Sequence, residues 1–329
     1  MASETKSTGE KIIALLQSAN GQAISGQTLA DSLGISRTAV WKQINQLKKQ
    51  GYEIGSQTNS GYTLIKAIDP ISPANILMNL KTKHIGQEIV YRDVVDSTQN
   101  LAKQLAAEET TKHGTVVIAN EQQGGKGRLG RPWQSKPNLG LWLSLILKPN
   151  ISPTEAAQFT LLAAVSVVET LRDFNIQATI KWPNDCLVDG KKIVGILTEM
   201  QADIQQVAYI VAGIGINVHH EQIDFAQEIA GIATSMRISG GKDFSRDLVA
   251  SELLNRFEQL YDLYLAEGFS GIKSLWEKYA PIIGQKIRVV TLNEELIGRA
   301  VAIADDGALL VEKEDQQVEK VYAGDIYYD

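Results

Sequence analysis

The sequence predicts an α+β chain built in three successive parts: a small helical head closed by a hairpin, a mixed-sheet centre, and a short all-β end. Apolar residues recur at helical spacing three times before residue 50 and then alternate over 52–64. From about Asn75 to Lys278 strand-like and helix-like segments mix, and several neighbouring strands have only short connections. After Pro281 only short alternating segments remain.

In the head, Ile12, Ile13, Leu15 and Leu16 line a first helix that ends near Asn20-Gly21. Ser25 precedes a second helix from Gly26 to Leu33, and Gly34-Ile35-Ser36 makes a tight turn ending in an N-cap. A third helix runs from about Arg37 to Gln50, with Val40, Ile44 and Leu47 on its buried face and Gly51 as its C-cap. Tyr52–Ile54 and Tyr62–Leu64 alternate like strands around the turn-rich stretch 57–61. This order, with a tight turn between the second and third helices and a final hairpin, is that of a winged helix-turn-helix.

The expected domains are a head over 1–66, a proline-bearing linker over 67–80, a central domain over 81–279 and an end domain over 280–329. Strands are expected at 89–91, 115–119, 141–147, 178–181, 193–199 and 207–214, in a largely antiparallel mixed sheet. Helices are expected at 97–107, 153–173 and 246–267. Short strands at 286–291, 295–303, 308–312 and 318–322 suggest a small SH3-like barrel.

The chain has 329 residues, 44% hydrophobic and 21% charged, an ordinary globular composition. No apolar run is long enough to cross a bilayer, and the first residues carry no apolar secretory segment, so a cytoplasmic protein without a membrane partner is expected. Cys186 is the single cysteine, which excludes an internal disulfide. The four histidines have no metal-ligand spacing, and no metal site is assigned. Residues 1–66 hold seven Lys/Arg against four Asp/Glu, so the head is +3 and the rest −9 within a net −6. A basic head on an acidic body is compatible with nucleic-acid binding by the head alone.

Four motifs could carry chemistry. In Gly124-Gly-Lys-Gly-Arg-Leu-Gly-Arg-Pro-Trp133, backbone N–H groups at Gly125, Gly127 and Gly130 and the cations Lys126, Arg128 and Arg131 suit a phosphate or acyl phosphate. The alternative is a solvated basic loop; a Walker A loop is excluded, because no Gly-Lys-Ser/Thr closes it. Lys181-Trp-Pro-Asn-Asp185 ends a strand, where Asn184 and Asp185 could bind a ligand, hold a metal or orient an amine, or merely form a turn. Lys192 enters an apolar strand and could meet a phosphate as a point charge, although surface lysine pairs are common. Gly213-Ile-Gly-Ile-Asn217 leaves room on a strand for a flat ligand, or serves packing alone.

Gly125-Lys-Gly-Arg-Leu-Gly-Arg-Pro-Trp133 resembles the Gly-Arg-Gly-Arg-x-Gly-Arg-x-Trp signature of biotin–protein ligases, with Lys126 in place of its first arginine. Lys181–Asp185, Gly213–Asn217 and Asp96-Ser-Thr98 resemble three further blocks of that family, although Gln99 stands where many members have Asn. The resemblance covers almost the whole chain and extends to the winged head, as in the class that also represses biotin-synthesis genes. It implies a central domain of the biotin/lipoate ligase type, the substrates biotin and ATP with Mg²⁺, a biotin carboxyl carrier protein as acceptor, operator DNA of biotin-synthesis genes, and a ligand-promoted homodimer.

The resemblance also implies roles. Ser97, Thr98 and Gln122 would hold the ureido ring of biotin, and Gly213 and Gly215 would floor its slot. Gly125, Lys126, Gly127 and Arg128 would wrap the biotin carboxylate. Arg128, Arg131, Trp133, Asn184, Asn217 and Arg288 would bind ATP, with Trp133 stacked on adenine. Lys192 would lie between carboxylate and α-phosphate, and Asp185 would orient or deprotonate the acceptor amine. Asp325 falls in a Gly-Asp/Glu-Ile block near the C-terminus. On the head, Arg37, Thr38, Trp41, Lys42 and Asn45 would face DNA, and the hairpin tip over 57–60 would follow its backbone. A lipoate ligase would lack the basic glycine loop and the head. Intact Lys126, Arg128, Arg131 and Lys192 argue against a ligand sensor without catalysis. A ligase whose head does not bind DNA remains the alternative.

Overall fold

A computed structural model describes residues 8–19, 21–49, 52–57, 61–66, 70–291 and 294–328. The chain divides into two units, residues 1–70 and 71–329.

In the first unit three helices, α1 (Thr8–Ser18), α2 (Gly26–Leu33) and α3 (Arg37–Lys49), precede a hairpin of β1 (Glu53–Gln57) and β2 (Gly61–Lys66). Ile12, Leu16, Leu29, Val40, Ile44, Leu47 and Ile54 form the core, which follows from the 3.6-residue spacing of the apolar positions. Ser25 caps α2 by accepting from the Thr28 N–H, and Gly34 ends it at φ 65°, a left-handed turn that sets the angle into α3. Ile24 bridges Tyr62 and ties the start of α2 to the hairpin. Of the expected hairpin tip over 57–60, Gln57 ends β1 and 58–60 lie outside the described residues, as does the expected C-cap Gly51.

The second unit opens with α4 (Pro73–Asn79), then β3 (Ile89–Val95), α5 (Thr98–Ala106), β4 (Val116–Gln122), β5 (Gly140–Leu147) and α6 (Ala157–Asp173). It continues through β6 (Thr179–Lys181), β7 (Asp185–Val188), β8 (Lys191–Ala202), β9 (Val207–Asn217), α7 (Met236–Gly240), α8 (Arg246–Glu267) and α9 (Phe269–Tyr279). Five strands close the chain: β10 (Lys286–Val290), β11 (Glu295–Ile303), β12 (Leu309–Glu312), β13 (Val318–Val321) and β14 (Asp325–Tyr328). The expected linker over 67–80 is therefore shorter than predicted. Ser72 caps α4, Ile71 and Ile76 are buried, and α4 packs on α8, so residues 71–80 belong to the second unit.

Seven strands run in the order β3-β4-β5-β9-β8-β7-β6, and only the β3/β4 pair is parallel. One face of this sheet carries Leu143, Leu145, Ile180, Cys186, Val194, Ile196, Ile214 and Ile216 into the core under α6, α8 and α9. The apolar surroundings raise the pKa of the Cys186 thiol far above its usual range, so it stays protonated. On the opposite face α5 covers Val117, Ile146 and Val211. The part of that face not roofed by α5 holds the site.

The end strands form an antiparallel sheet in the order β13-β12-β11-β10-β14, with a bulge between Ala300 and Ala302 that bends β11. Their core residues Ile287, Val289, Ala300, Leu309 and Val311 belong to the same apolar cluster as α6 and α9. Gln158 Nε2 donates to Asp305 O at 2.6 Å, and Ile303 N donates to Glu277 Oε1 at 3.0 Å. The end sheet packs on the central domain through these contacts, and residues 71–329 form one compact unit.

Candidate active site

A cavity of about 330 Å³ opens on the free face of the sheet. Its deep end lies beside the start of α5, where Ser97 is the N-cap. Gln122 Oε1 accepts from Thr98 N at 2.9 Å and Thr98 Oγ1 at 3.0 Å, while Gln122 Nε2 donates to Ser135 Oγ at 2.7 Å. Ser144 Oγ lies 2.9 Å from Thr98 Oγ1 and 3.1 Å from Gln99 Oε1. Gln99 Nε2 donates to Leu197 O and Val211 O. A polar network this buried is stable only because its members satisfy one another. Ser97 Oγ accepts from Gln99 N at 3.2 Å and keeps its own O–H for a ligand acceptor.

The glycines of β8 and β9 are spaces already filled by neighbours. A Cβ on Gly213 would stand 2.5 Å from Gln99 Oε1, and one on Gly215 would stand 2.6 Å from Trp133 Nε1. Gly195 pairs with Gly215 across the strands and also lies under the Trp133 ring. The Trp133 indole thus rests on a two-glycine platform, edge-on to Trp142 at 6.3 Å.

The loop from 124 to 133 folds back on itself through Trp133 N to Gly125 O at 2.8 Å and Gly127 N to Arg131 O at 2.8 Å. Its tip is a 3₁₀ turn at Arg128–Gly130. Arg128 Nη1 donates to Asn184 Oδ1 at 3.3 Å, and burial lowers the pKa of its guanidinium, although Asp325 and Asp185 oppose this. Arg131 makes a two-pronged ion pair with Asp325 of β14, which holds the Asp325 carboxyl below its ordinary pKa. Lys192 Nζ lies 2.7 Å from Asp185 Oδ1 and 5.3 Å from the centre of the Trp133 ring. The backbone of Lys192 is stitched to the 232–234 segment by Lys192 N to Ile232 O at 2.7 Å and Thr234 N to Lys192 O at 2.9 Å.

Of the residues singled out in the sequence, Ser97, Thr98, Gln122, Lys126, Gly127, Arg128, Arg131, Trp133, Asn184, Asp185, Lys192, Gly213 and Gly215 line this one cavity. Three expected ligand contacts stand outside its lining. Gly125 lacks a Cβ because Trp133 O would lie 2.5 Å from it, so its place is set by loop closure. Asn217 is buried and its Nδ2 donates to Thr234 O at 3.0 Å. Arg288 lies over the Tyr327 ring at 4.6 Å and pairs with Glu295. The lining also includes Ser144, Leu197 and Tyr327, which the sequence reading missed, and Gln99 and Lys181, which it named within motifs without giving them a role. Ser144 had a signal, the one polar residue in the apolar run 141–147.

On the head, Arg37, Thr38, Trp41 and Lys42 are exposed and Asn45 is half-buried, on the face of α3 away from Val40, Ile44 and Leu47.

Residues 91–217 match the Biotin/lipoate A/B protein ligase family, 9–63 match an HTH domain, and 282–328 match the Biotin protein ligase C terminal domain. The chain is 45% identical over 316 residues to the bifunctional ligase/repressor BirA of Bacillus subtilis (strain 168), covering 96% of this chain and 97% of the relative. It is 31% identical over 305 residues to the bifunctional ligase/repressor BirA of Escherichia coli (strain K12), covering 92% of each. Its fold superposes on the biotin protein ligase from Aquifex aeolicus in complex with biotin and ATP, with a TM-score of 0.62, 28% identity and coverage of 73% of this chain and 98% of that one. Fold and site together define a ligase of the biotin/lipoate type. The chain belongs to the biotin–protein ligase family, in its bifunctional ligase and repressor class.

Proposed function

We propose that the chain condenses biotin with ATP to biotinyl-5′-AMP and pyrophosphate, then transfers the biotinyl group to a lysine of a biotin carboxyl carrier protein. One observation carries this reading: a neutral, hydrogen-bonded deep end and a mouth of clustered cations share a single cavity. Ser97, Thr98 and Gln122 hold the ureido ring, with Gln99 and Ser144 closing the slot behind it. The biotin carboxylate lies at Lys126, Gly127 and Arg128, with Gly125 acting through its backbone.

Two anions must meet in the first step, and Arg128, Arg131 and Lys192 screen their repulsion. Lys192 leaves Asp185 to bridge carboxylate and α-phosphate. Asp185, released, then orients or deprotonates the acceptor amine. Because AMP is a good leaving group, no enzyme nucleophile is required. Adenine stacks on the Trp133 face turned away from the glycine platform, with Asn184 beside the nucleotide. Asn217 reaches it through Oδ1, and Arg288 acts by bracing Tyr327. Among the described residues no three Asp, Glu, His or Cys gather to hold a metal, and Asp185 and Asp325 are each taken by a cation. Mg²⁺ would arrive bound to the phosphates of ATP.

The exposed face of α3 supports operator binding by the head, and the ligase is expected in the cytoplasm, where ATP, carrier and DNA coincide. No helix among the described residues is long and apolar enough to cross a membrane. Lys192→Ala tests the adenylation step. It should slow biotin-dependent pyrophosphate release at least tenfold, since one charge-assisted contact to the transferring phosphate contributes on the order of 2 kcal/mol. An unchanged rate would remove Lys192 from the chemistry.

A further inference from the structure

We infer that Lys181 binds the β,γ-phosphates of the nucleotide and receives them as they leave as pyrophosphate. This rests on the adenylation reading above and extends it to a residue without a role there.

The argument starts from the sheet. Residues paired across antiparallel strands share a face, and neighbouring strands lie about 4.8 Å apart. One row crosses β5, β9, β8, β7 and β6 through Trp142, Gly215, Gly195, Asp185 and Lys181. Its neighbour Ile180 points into the core on the other face, which leaves Lys181 on the cavity face beside Asp185. Along this row the site changes character: an aromatic platform under Trp133, then the acid that holds Lys192, then a cation at the outer end.

Charge accounting leaves three cations without an acid partner, Lys126, Arg128 and Lys181, and of these only Lys181 has no place on the biotin carboxylate in the adenylation reading. Lys126, Arg128, Arg131, Lys181 and Lys192 line the cavity against only Asp185 and Asp325. Asp185 is matched to Lys192 and Asp325 to Arg131. Among the described residues no hydrogen bond or ion pair engages the Lys181 ammonium. Lys181 and Asp325 of β14 line the same mouth, and the Lys181 charge adds a little to the depression of the Asp325 pKa that Arg131 dominates.

The direction of the reaction completes the argument. A carboxylate oxygen of biotin attacks the α-phosphorus, forming one P–O bond. The bond from the α-phosphorus to the α,β-bridging oxygen breaks, and pyrophosphate departs with that electron pair. In-line displacement sends the leaving group away from the attacking carboxylate. The carboxylate comes from the deep end beside α5, so the leaving group emerges toward β6 and β14. An uncompensated lysine at that exit stabilises the charge that accumulates there.

The test uses the full chain with biotin and MgATP, with inorganic pyrophosphate as the probe. Lys181→Gln should weaken product inhibition by pyrophosphate at least tenfold and raise KM for MgATP several-fold, with biotin affinity within twofold of wild type. Lys181→Arg should restore most of the pyrophosphate effect. If the glutamine variant is unstable, Lys181→Met repeats the measurement. Pyrophosphate inhibition within twofold of wild type in the charge-removing variant overturns the inference, as does an equal loss of biotin affinity, which would put the charge on the carboxylate. Absence of biotin-dependent pyrophosphate release from wild type would instead refute adenylation itself.

Discussion

At the residue scale the site holds two ion pairs, Arg131–Asp325 and Lys192–Asp185, and the neighbouring His220 is a group held neutral. His220 is buried, stacked on Phe225 at 5.0 Å and edge-on to Trp142 at 6.0 Å, and burial pushes its pKa down to about 4. The unfolded chain binds this proton near pH 6.5 and the folded chain does not until about 4. Stability from this group is thus full above about pH 6.5 and falls as pH drops through that window, by up to about 3 kcal/mol. Denaturant unfolding between pH 7 and 4 should show this slope, and His220→Gln should flatten it. An unchanged slope in the variant would move the effect to the carboxylates. Most charged site residues were legible in the sequence, because Lys and Arg in a glycine-rich loop have few other uses. Gln99 was harder to read, since its work is to satisfy Leu197 O, Val211 O and Ser144, partners distant in sequence.

At the element scale the 124–133 loop is a lid pinned at two points, by Arg128 to Asn184 and by Arg131 to Asp325. A lid shields a reactive mixed anhydride from water. Arg128→Ala should lose biotinyl-AMP faster than wild type and label bystander lysines indiscriminately, with a smaller effect on the rate of adenylate formation. Filter retention of labelled adenylate measures this, and leakage equal to wild type would rule out the lid role. Long elements were read well: α8 spans the expected 246–267 and β11 the expected 295–303. Short ones were not. The strand β7 has four residues and begins inside an Asn-Asp pair that also suits a turn. Two prolines near α4 suggested a linker, yet Pro73 serves as its first residue. Helix α9 follows α8 across Gly268 alone, too short a break to separate in the sequence.

At the scale of the whole molecule, the division after Pro70 gives the head its own core, so it should be separable from catalysis. Deleting residues 1–65 should abolish DNA binding while ligation survives. One head makes few phosphate contacts and binds weakly, whereas two on a symmetric dimer gain from effective concentration. We propose that biotinyl-AMP orders the 125–133 and 218–236 loops and promotes that dimer. Operator affinity should then rise at least tenfold with biotin and ATP. Identical sedimentation and gel shifts with and without biotinyl-AMP would refute the coupling while leaving both activities intact.

The central claim is transfer of biotin to a carrier lysine through an adenylate, and the most direct measurement incubates the full chain with labelled biotin, MgATP and a biotin carboxyl carrier domain. The account predicts label on one carrier lysine, dependent on ATP, with one pyrophosphate released per biotin attached. Unlabelled carrier in the presence of all three, or label that appears without ATP, would contradict it.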